Sequence, residues 1–176
     1  MFTNNFVTWF RTVTDPAQVA KRSLVLPTGA DFPAPSYGTI TSVYAYNWGG
    51  HNGTVRSDYS GTGIVFGTGN EPPTMADYKL SGDIVTGLTS TYTRTVSDTD
   101  ECSRFTLNFT LTNSNAEDVT IQEVGFIGDC PFYNNNNRKY GYVLFWRELL
   151  ESPITIPAGG VGQVSVNLDI NLPYGA

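Results

Sequence analysis

The last third of the chain runs through Val119-Thr-Ile-Gln-Glu-Val-Gly-Phe-Ile-Gly128, Tyr142-Val-Leu-Phe-Trp-Arg147, Ser152-Pro-Ile-Thr-Ile-Pro-Ala-Gly-Gly160 and Val164-Ser-Val-Asn-Leu-Asp-Ile170. Apolar and polar residues alternate strictly in the last of these segments, and a period of two is typical of a strand with one buried face. The Pro-Ala-Gly-Gly turn between Ile154–Ile156 and Val164 predicts a hairpin. This third of the chain therefore predicts a series of short antiparallel strands. None of its residues has the sequence context of a catalytic group.

Strand patterns also occur earlier in the chain, whereas helix patterns are scarce. Residues 104–111 alternate Phe and Leu with Thr and Asn, and residues 39–46 are rich in β-branched and aromatic side chains. The best helix candidate is 15–22, which has an Asp N-cap and a Pro at the first helical position. We therefore expect an all-β fold with at most one or two short helices. Residues 1–176 are predicted to form a single antiparallel β-sandwich domain, jelly-roll-like, with residues 1–35 as a candidate extended N-terminal arm.

The composition argues against several classes of protein. The chain has 176 residues, 40% of them hydrophobic, and a net charge of −6 with ten Lys and Arg. These cations are scattered, so we expect no direct nucleic-acid partner, because binding the phosphate backbone takes clustered positive charge. No stretch approaches the ~20 apolar residues of a membrane span, and the N-terminus lacks the features of a secretory signal. Cys102 and Cys130 are too few for a disulfide framework, which leaves free thiols or a single bridge.

No constellation of residues predicts catalysis. His51, the single histidine, lies in a glycine-rich turn with no nucleophile or orienting partner in its sequence context. Gly61–Gly69 lacks the Lys-Ser/Thr of a phosphate-binding loop, and Ile64–Phe66 within it predicts a short buried strand. The closest acidic residues, in a polar linker, are Asp98, Asp100 and Glu101. We therefore expect a non-enzymatic protein with no catalytic residue, no cofactor and no metal site.

Aromatic residues near the middle of the chain suggest an alternative function. Aromatic rings on a sheet face can stack against sugars, as in lectins. A carbohydrate-binding module, displayed on a virion or alone, would use Tyr44, Tyr46, Trp48 and Tyr59 as its platform. The same residue types are common in cores and protein interfaces, which is the interpretation we favour.

Two blocks of sequence occur in a distinctive order. The first is Val65-Phe-Gly-Thr-Gly-Asn-Glu-Pro-Pro-Thr-Met-Ala-Asp-Tyr-Lys-Leu80. The second is Ile121-Gln-Glu-Val-Gly-Phe-Ile-Gly128, followed by Val143-Leu-Phe-Trp-Arg147 and Pro153-Ile-Thr-Ile-Pro-Ala-Gly159. This order resembles small β-rich structural proteins of tailed bacteriophages, and the opening Thr3-Asn-Asn-Phe6 is similar to the start of such proteins. The resemblance covers Met1–Phe6 and most of 63–173, and its pattern contains no catalytic residue.

The resemblance implies a virion component that is made in the host cytoplasm and carries no enzymatic activity. Such a component is expected to form a homo-oligomer and to dock on other capsid, neck or tail proteins. The candidate interface residues are Phe2, Phe6, Trp9, Phe10, Pro72, Pro73 and Tyr78. The first four predict an anchoring arm, with a first strand in the chain's own core as the alternative. The two prolines stiffen a loop, and a stiff loop loses little entropy on docking.

One pair of charges also predicts a structural contact. Glu123 precedes an apolar run and Arg147 ends one, on segments that we expect to be neighbouring strands. Opposite charges on adjacent strands attract each other. The sequence therefore predicts a cross-strand ion pair beside a buried Trp146.

Overall fold

The computed structural model describes residues 1–6, 24–32, 55–98, 102–134 and 137–171. Strands dominate this part of the chain, and the helical backbone in it is confined to residues 4–6. The pairs β1–β2, β3–β6, β4–β5 and β5–β8 are all antiparallel. The predicted all-β class and its scarcity of helix are therefore confirmed, while the jelly-roll connectivity stays a prediction.

The described strands form three separate sheets. β1 pairs with β2, a second sheet has the order β3-β6-β7, and a third has the order β4-β5-β8. The chain divides into two compact units, Met1–Thr86 with Thr120–Pro153, and Gly87–Val119 with Ile154–Ala176. The single-domain organisation and the extended arm stay predictions. The strands are β1 Leu24–Val25, β2 Asp31–Phe32, β3 Gly63–Gly67, β4 Leu88–Asp98, β5 Cys102–Asn113, β6 Val119–Asn134, β7 Asn137–Ile156 and β8 Val161–Asn171.

The first unit is organised around β3, the short strand predicted inside the glycine-rich segment. Every residue of β3 is buried, and the strand pairs with β6 from Gly63 opposite Ile127 to Gly67 opposite Glu123. A core of Val65, Leu80, Ile127 and Leu144 packs on this sheet. Burial of side chains of this size stabilises a fold by roughly 1.5–3 kcal/mol each.

The second unit has β5 at its centre. β5 pairs with β4 on one side and with β8 on the other. Phe109 lies opposite Val164, and both side chains are buried, whereas Asn108, which precedes Phe109 on β5, is exposed. The predicted alternation is therefore confirmed for residues 108–111 and 164–167, while the side chains of residues 105 and 168–170 lie outside the described ones.

The hairpin predicted around Pro157 is wrong. The turn itself forms, because Gly160 N donates to Pro157 O at 2.8 Å and Gly159 has a φ of 65°. However, β8 pairs with β5, while β7 belongs to the sheet with β3 and β6. β8 instead forms a ladder with β5 along all 11 of its residues.

Candidate functional site

Arg147 on β7 and Glu123 on β6 form the ion pair that the sequence predicts. Arg147 Nε donates to Glu123 Oε2 at 2.7 Å. The side chain of Glu123 is fully buried, that of Arg147 is 2% exposed, and the neighbouring Trp146 is 4% exposed. The two charges are therefore removed from water, and each depends on the other for compensation.

The same arginine reaches the loop that follows β3. Arg147 Nη1 donates to Asp77 Oδ2, and Arg147 Nη2 donates to the carbonyl of Glu71. Asp77 is held in turn by Thr74, whose N donates at 2.9 Å and whose Oγ1 donates at 2.8 Å. We call Arg147, Glu123 and Asp77 the Arg147 cluster; it ties two strands and the 68–82 loop into one network.

The carboxylate of Glu123 also binds the two ends of this loop. Its Oε1 accepts hydrogen bonds from Gly69 N at 2.9 Å and Gly82 N at 2.8 Å, and its Oε2 accepts one from Ser81 N at 3.0 Å. A Cβ at Gly67 would lie 2.8 Å from Glu123 Oε1, and one at Gly69 would overlap the same oxygen. The Gly-Thr-Gly sequence is therefore glycine-rich because the backbone approaches a buried carboxylate, in agreement with the structural interpretation of this segment.

Hydrogen bonding sets the charge state of the two carboxylates. Burial alone would raise the pKa of Glu123, but hydrogen bonds from Gly82 N, Ser81 N and Arg147 outweigh burial and hold this pKa below its ordinary value. Burial likewise opposes ionisation of Asp77, and the bonds from Thr74 and Arg147 overcome it, so the pKa of Asp77 is also lowered. Both groups are anionic at neutral pH.

These lowered pKa values predict acid sensitivity. A carboxyl group whose pKa is lower in the folded state adds stability above its unfolded pKa, and this contribution is lost as the pH falls through the folded value. We therefore expect the urea midpoint of unfolding to decrease as the pH falls below about 4, where unfolded Asp and Glu titrate. Asp77→Asn should flatten this dependence, because one of the two titrating groups is gone. An acid profile of Asp77→Asn identical to that of the natural chain would contradict the assignment.

The N-terminal residues pair with β7 of the same chain. Phe2 forms an antiparallel bridge with Trp146, and Thr3 N donates to Phe145 O at 2.9 Å. The buried Thr3 Oγ1 donates to Leu144 O at 2.6 Å. Phe2 and Thr3 thus extend the β3-β6-β7 sheet at β7, which is the arrangement that we weighed against an anchoring arm.

Two of the predicted interface segments meet at this place. Asn4 N donates to Met75 O at 2.7 Å, so the N-terminal turn touches the proline loop. Phe2 and Phe6 stack with ring centroids 4.2 Å apart. Met1 is 51% and Met75 48% exposed, and Pro72 is also exposed. We call Met1, Pro72 and Met75 the N-terminal surface. The other candidate interface residues that the structure describes are half-buried: Phe2, Phe6, Pro73 and Tyr78. Trp9 and Phe10 lie outside the described residues.

The alternative sugar platform is represented by one described residue. Tyr59 is half-buried and packs against the core of the first unit. Its hydroxyl oxygen accepts a hydrogen bond from Leu80 N at 2.8 Å, and burial raises its pKa. This tyrosine is therefore engaged in the fold. Tyr44, Tyr46 and Trp48 lie outside the described residues.

Sequence reasoning missed two polar residues that organise the fold. Asp77 completes the Arg147 cluster, and its spacing from Thr74 in Thr-x-x-Asp, which suits a local side-chain-to-backbone bond, was available in the sequence. Asn113, at the end of β5, is fully buried. Its Nδ2 donates to Glu117 O at 2.8 Å and to Ile156 O at 3.1 Å. No local sequence pattern predicts the contact with Ile156.

No family model matches the chain, and neither a curated protein nor a solved structure does. Within the described ranges, no group of three or more His, Cys, Asp and Glu is placed to hold a metal ion. No helix in that part of the chain is long and apolar enough to cross a membrane. The geometry defines the class as an all-β protein whose buried charges hold a loop against a sheet.

Proposed function

We propose that this chain is a non-enzymatic structural component of a tailed-phage virion. In this proposal the chain is made in the host cytoplasm, self-associates, and docks on capsid, neck or tail proteins. One observation carries the proposal beyond the resemblance itself. The separate blocks on which the resemblance rests converge in space, because Gly69, Asp77, Glu123 and Arg147 all belong to one hydrogen-bonded network.

This convergence gives the resemblance a physical basis. Residues that are far apart in sequence recur together when they maintain one structure, and here they maintain the 68–82 loop. The charged groups of Glu123 and Arg147 form hydrogen bonds within the chain and are almost fully buried, so a substrate could not reach them. A charge network of this kind suits a rigid scaffold.

The loop that is held in this way carries Pro72 and Met75, two of the three residues of the N-terminal surface. Arg147 fixes the carbonyl of Glu71, directly before Pro72, and the carboxylate of Asp77, two residues after Met75. A loop fixed at both ends loses little conformational entropy when a partner binds. Exposed methionine adapts its shape to an apolar partner. We therefore assign docking on other virion proteins to this surface.

The experiment that tests the proposal follows the chain through particle assembly. Virions of the phage that encodes the chain are banded in a caesium chloride gradient and probed with an antibody raised against the purified chain. We expect the chain to co-migrate with infectious particles, and its recovery only among free proteins of the lysate would overturn the proposal.

A substitution in the N-terminal surface makes the same experiment specific to docking. Met75→Asp, supplied from a plasmid to a phage that lacks the gene, should enter particles about tenfold less, because an interface anchor contributes on the order of 1–2 kcal/mol. Lys79→Asp, an exposed change in the same loop, is the matched control and should be incorporated normally. Equal incorporation of the two variants would remove the N-terminal surface from the proposal.

A further inference from the structure

Residues 1–5, which we call the N-terminal segment, begin as a short antiparallel ladder with β7. Arg147 N donates to Met1 O at 3.1 Å, and Met1 N donates to Arg147 O at 2.7 Å. Thr3 N donates to Phe145 O at 2.9 Å two residues further along. Side chains of directly opposite residues lie on the same face of an antiparallel pair. The side chain of Met1 is therefore on the face from which Arg147 reaches the loop that follows β3.

Two polar side chains fix the N-terminal segment in this position. Thr3 is fully buried, and its Oγ1 donates to Leu144 O at 2.6 Å. Asn5 is 5% exposed, and its amide pairs with the backbone of Val25 on β1. Its Nδ2 donates to Val25 O at 2.9 Å, and its Oδ1 accepts from Val25 N at 2.8 Å. Leaving a buried polar group unpaired is costly, so these bonds select one position for the segment.

The N-terminal segment and the 68–82 loop are joined by two connections. The first is direct, because Asn4 N donates to Met75 O at 2.7 Å. The second runs through Arg147, whose backbone bonds the segment while its guanidinium bonds Asp77 in the loop. Departure of the segment from β7 would break the first connection. It would also release the backbone that sets the direction of the guanidinium.

We propose that seating of the N-terminal segment on β7 and closure of the 68–82 loop are one cooperative step, and that Thr3 is a positioning residue for the N-terminal surface. The guanidinium of Arg147 is buried and bonds Glu123 and Asp77 at the same time. Only one placement of the arginine satisfies both carboxylates. Packed networks of this kind switch between discrete arrangements and do not deform continuously.

This step regulates the N-terminal surface because the surface is built from both parts. Met1 belongs to the N-terminal segment, whereas Pro72 and Met75 belong to the loop. A partner that docks on the surface would hold the two parts together, and release of either part would dismantle the surface. Coupling free energy between two parts of a molecule acts equally in both directions, so each part should respond to a change in the other.

Amide hydrogen exchange on the purified full chain measures the coupling. Thr3→Val keeps the branched shape of the side chain and removes the hydroxyl donor. We expect exchange to become about tenfold faster at Asn4 and, in the loop, at Thr74 and Gly82, because loss of one buried hydrogen bond has an effect of this size. The loop amides report closure because Thr74 N bonds Asp77 and Gly82 N bonds the carboxylate of the Arg147 cluster.

Asp77→Asn tests the opposite direction. It removes the charge that Arg147 Nη1 binds in the loop, and exchange at Asn4 in the N-terminal segment should become faster. Thr91→Val is the matched control, since it makes the same chemical change as Thr3→Val at an exposed position of the second unit. It should leave exchange in both parts unchanged. Acceleration confined to the segment in Thr3→Val and to the loop in Asp77→Asn would overturn the coupling.

Two further readouts separate positioning from a general loss of stability. Exchange at Val65, which lies opposite Gly125 in the β3–β6 ladder, should stay unchanged in Thr3→Val. Equal acceleration there would mean that Thr3 only stabilises the first unit, and would overturn the proposal. Thr3→Ser keeps the hydroxyl donor and should restore slow exchange in the loop. A Thr3→Ser chain that exchanges as fast as Thr3→Val would overturn it as well.

The role in docking rests on the proposed function and is tested on virions. Thr3→Val should enter particles about tenfold less than the natural chain, as expected for Met75→Asp. Normal incorporation of Thr3→Val would overturn the positioning role of Thr3. A chain that never co-migrates with particles would instead overturn the proposed function, while the exchange measurements on the purified chain would still decide the coupling.

Discussion

Replacing Arg147 by leucine is expected to lower the free energy of unfolding by about 3–5 kcal/mol, the usual effect of removing one partner of a buried ion pair. Glu123, whose side chain is fully buried, would keep its charge without the Nε–H that lies 2.7 Å away. Asp77 and the carbonyl of Glu71 would lose donors as well. The measurement is urea unfolding at pH 7, followed by tryptophan fluorescence, since Trp146 adjoins the substituted residue.

Two further variants separate charge from packing. Lys79→Leu removes an exposed cation from the same loop and should change stability by less than about 0.5 kcal/mol. Glu123→Gln keeps the shape of the side chain and one acceptor oxygen but removes the charge, so it should fall between Lys79→Leu and Arg147→Leu. If Arg147→Leu costs no more than Lys79→Leu, the Arg147 cluster does not hold the loop.

The ion pair was predictable because its geometry needs little information. Two oppositely charged residues within apolar runs cannot be buried separately, so neighbouring strands bring them together. The short strand β3 was predictable for a similar reason, since Ile64, Val65 and Phe66 form an apolar run between glycines. The contacts of Glu123 with the backbone at Gly69 and Gly82 were not predictable, because they depend on how the loop returns to the sheet.

β4 went unrecognised because hydrophobic alternation is a poor guide to strands without a well-buried face. Thr91, Tyr92 and Thr93 are all exposed, so neither period nor hydrophobicity marks the segment. Its regular threonines were the available indication, since β-branched side chains favour extended backbone. The partner strand of β8 was predicted wrongly for a different reason. The turn at Pro157 suggested a local hairpin, while the longer β5 ladder determined the pairing.

Asn113→Ala is expected to cost about 2–4 kcal/mol, because a fully buried amide serves several backbone groups and each unsatisfied buried group costs about 1–3 kcal/mol. Asn113 Nδ2 donates to Glu117 O and Ile156 O, and its Oδ1 accepts from Asn115 N at 2.9 Å. In the second unit this side chain therefore joins the end of β5 to the segment before β8. Urea unfolding measures the loss.

Asn113→Asp distinguishes the lost donor from the lost volume. Aspartate keeps the size of the side chain and the oxygen that serves Asn115, but it turns a second oxygen toward the carbonyls of Glu117 and Ile156. At pH 7 this variant should lose at least as much stability as Asn113→Ala, because a buried charge would then face acceptors without a donor. Asn108→Ala, an exposed change on the same strand, should cost less than about 1 kcal/mol. Stability equal to that of the natural chain in Asn113→Asp would mean that packing, and not hydrogen bonding, gives this residue its role.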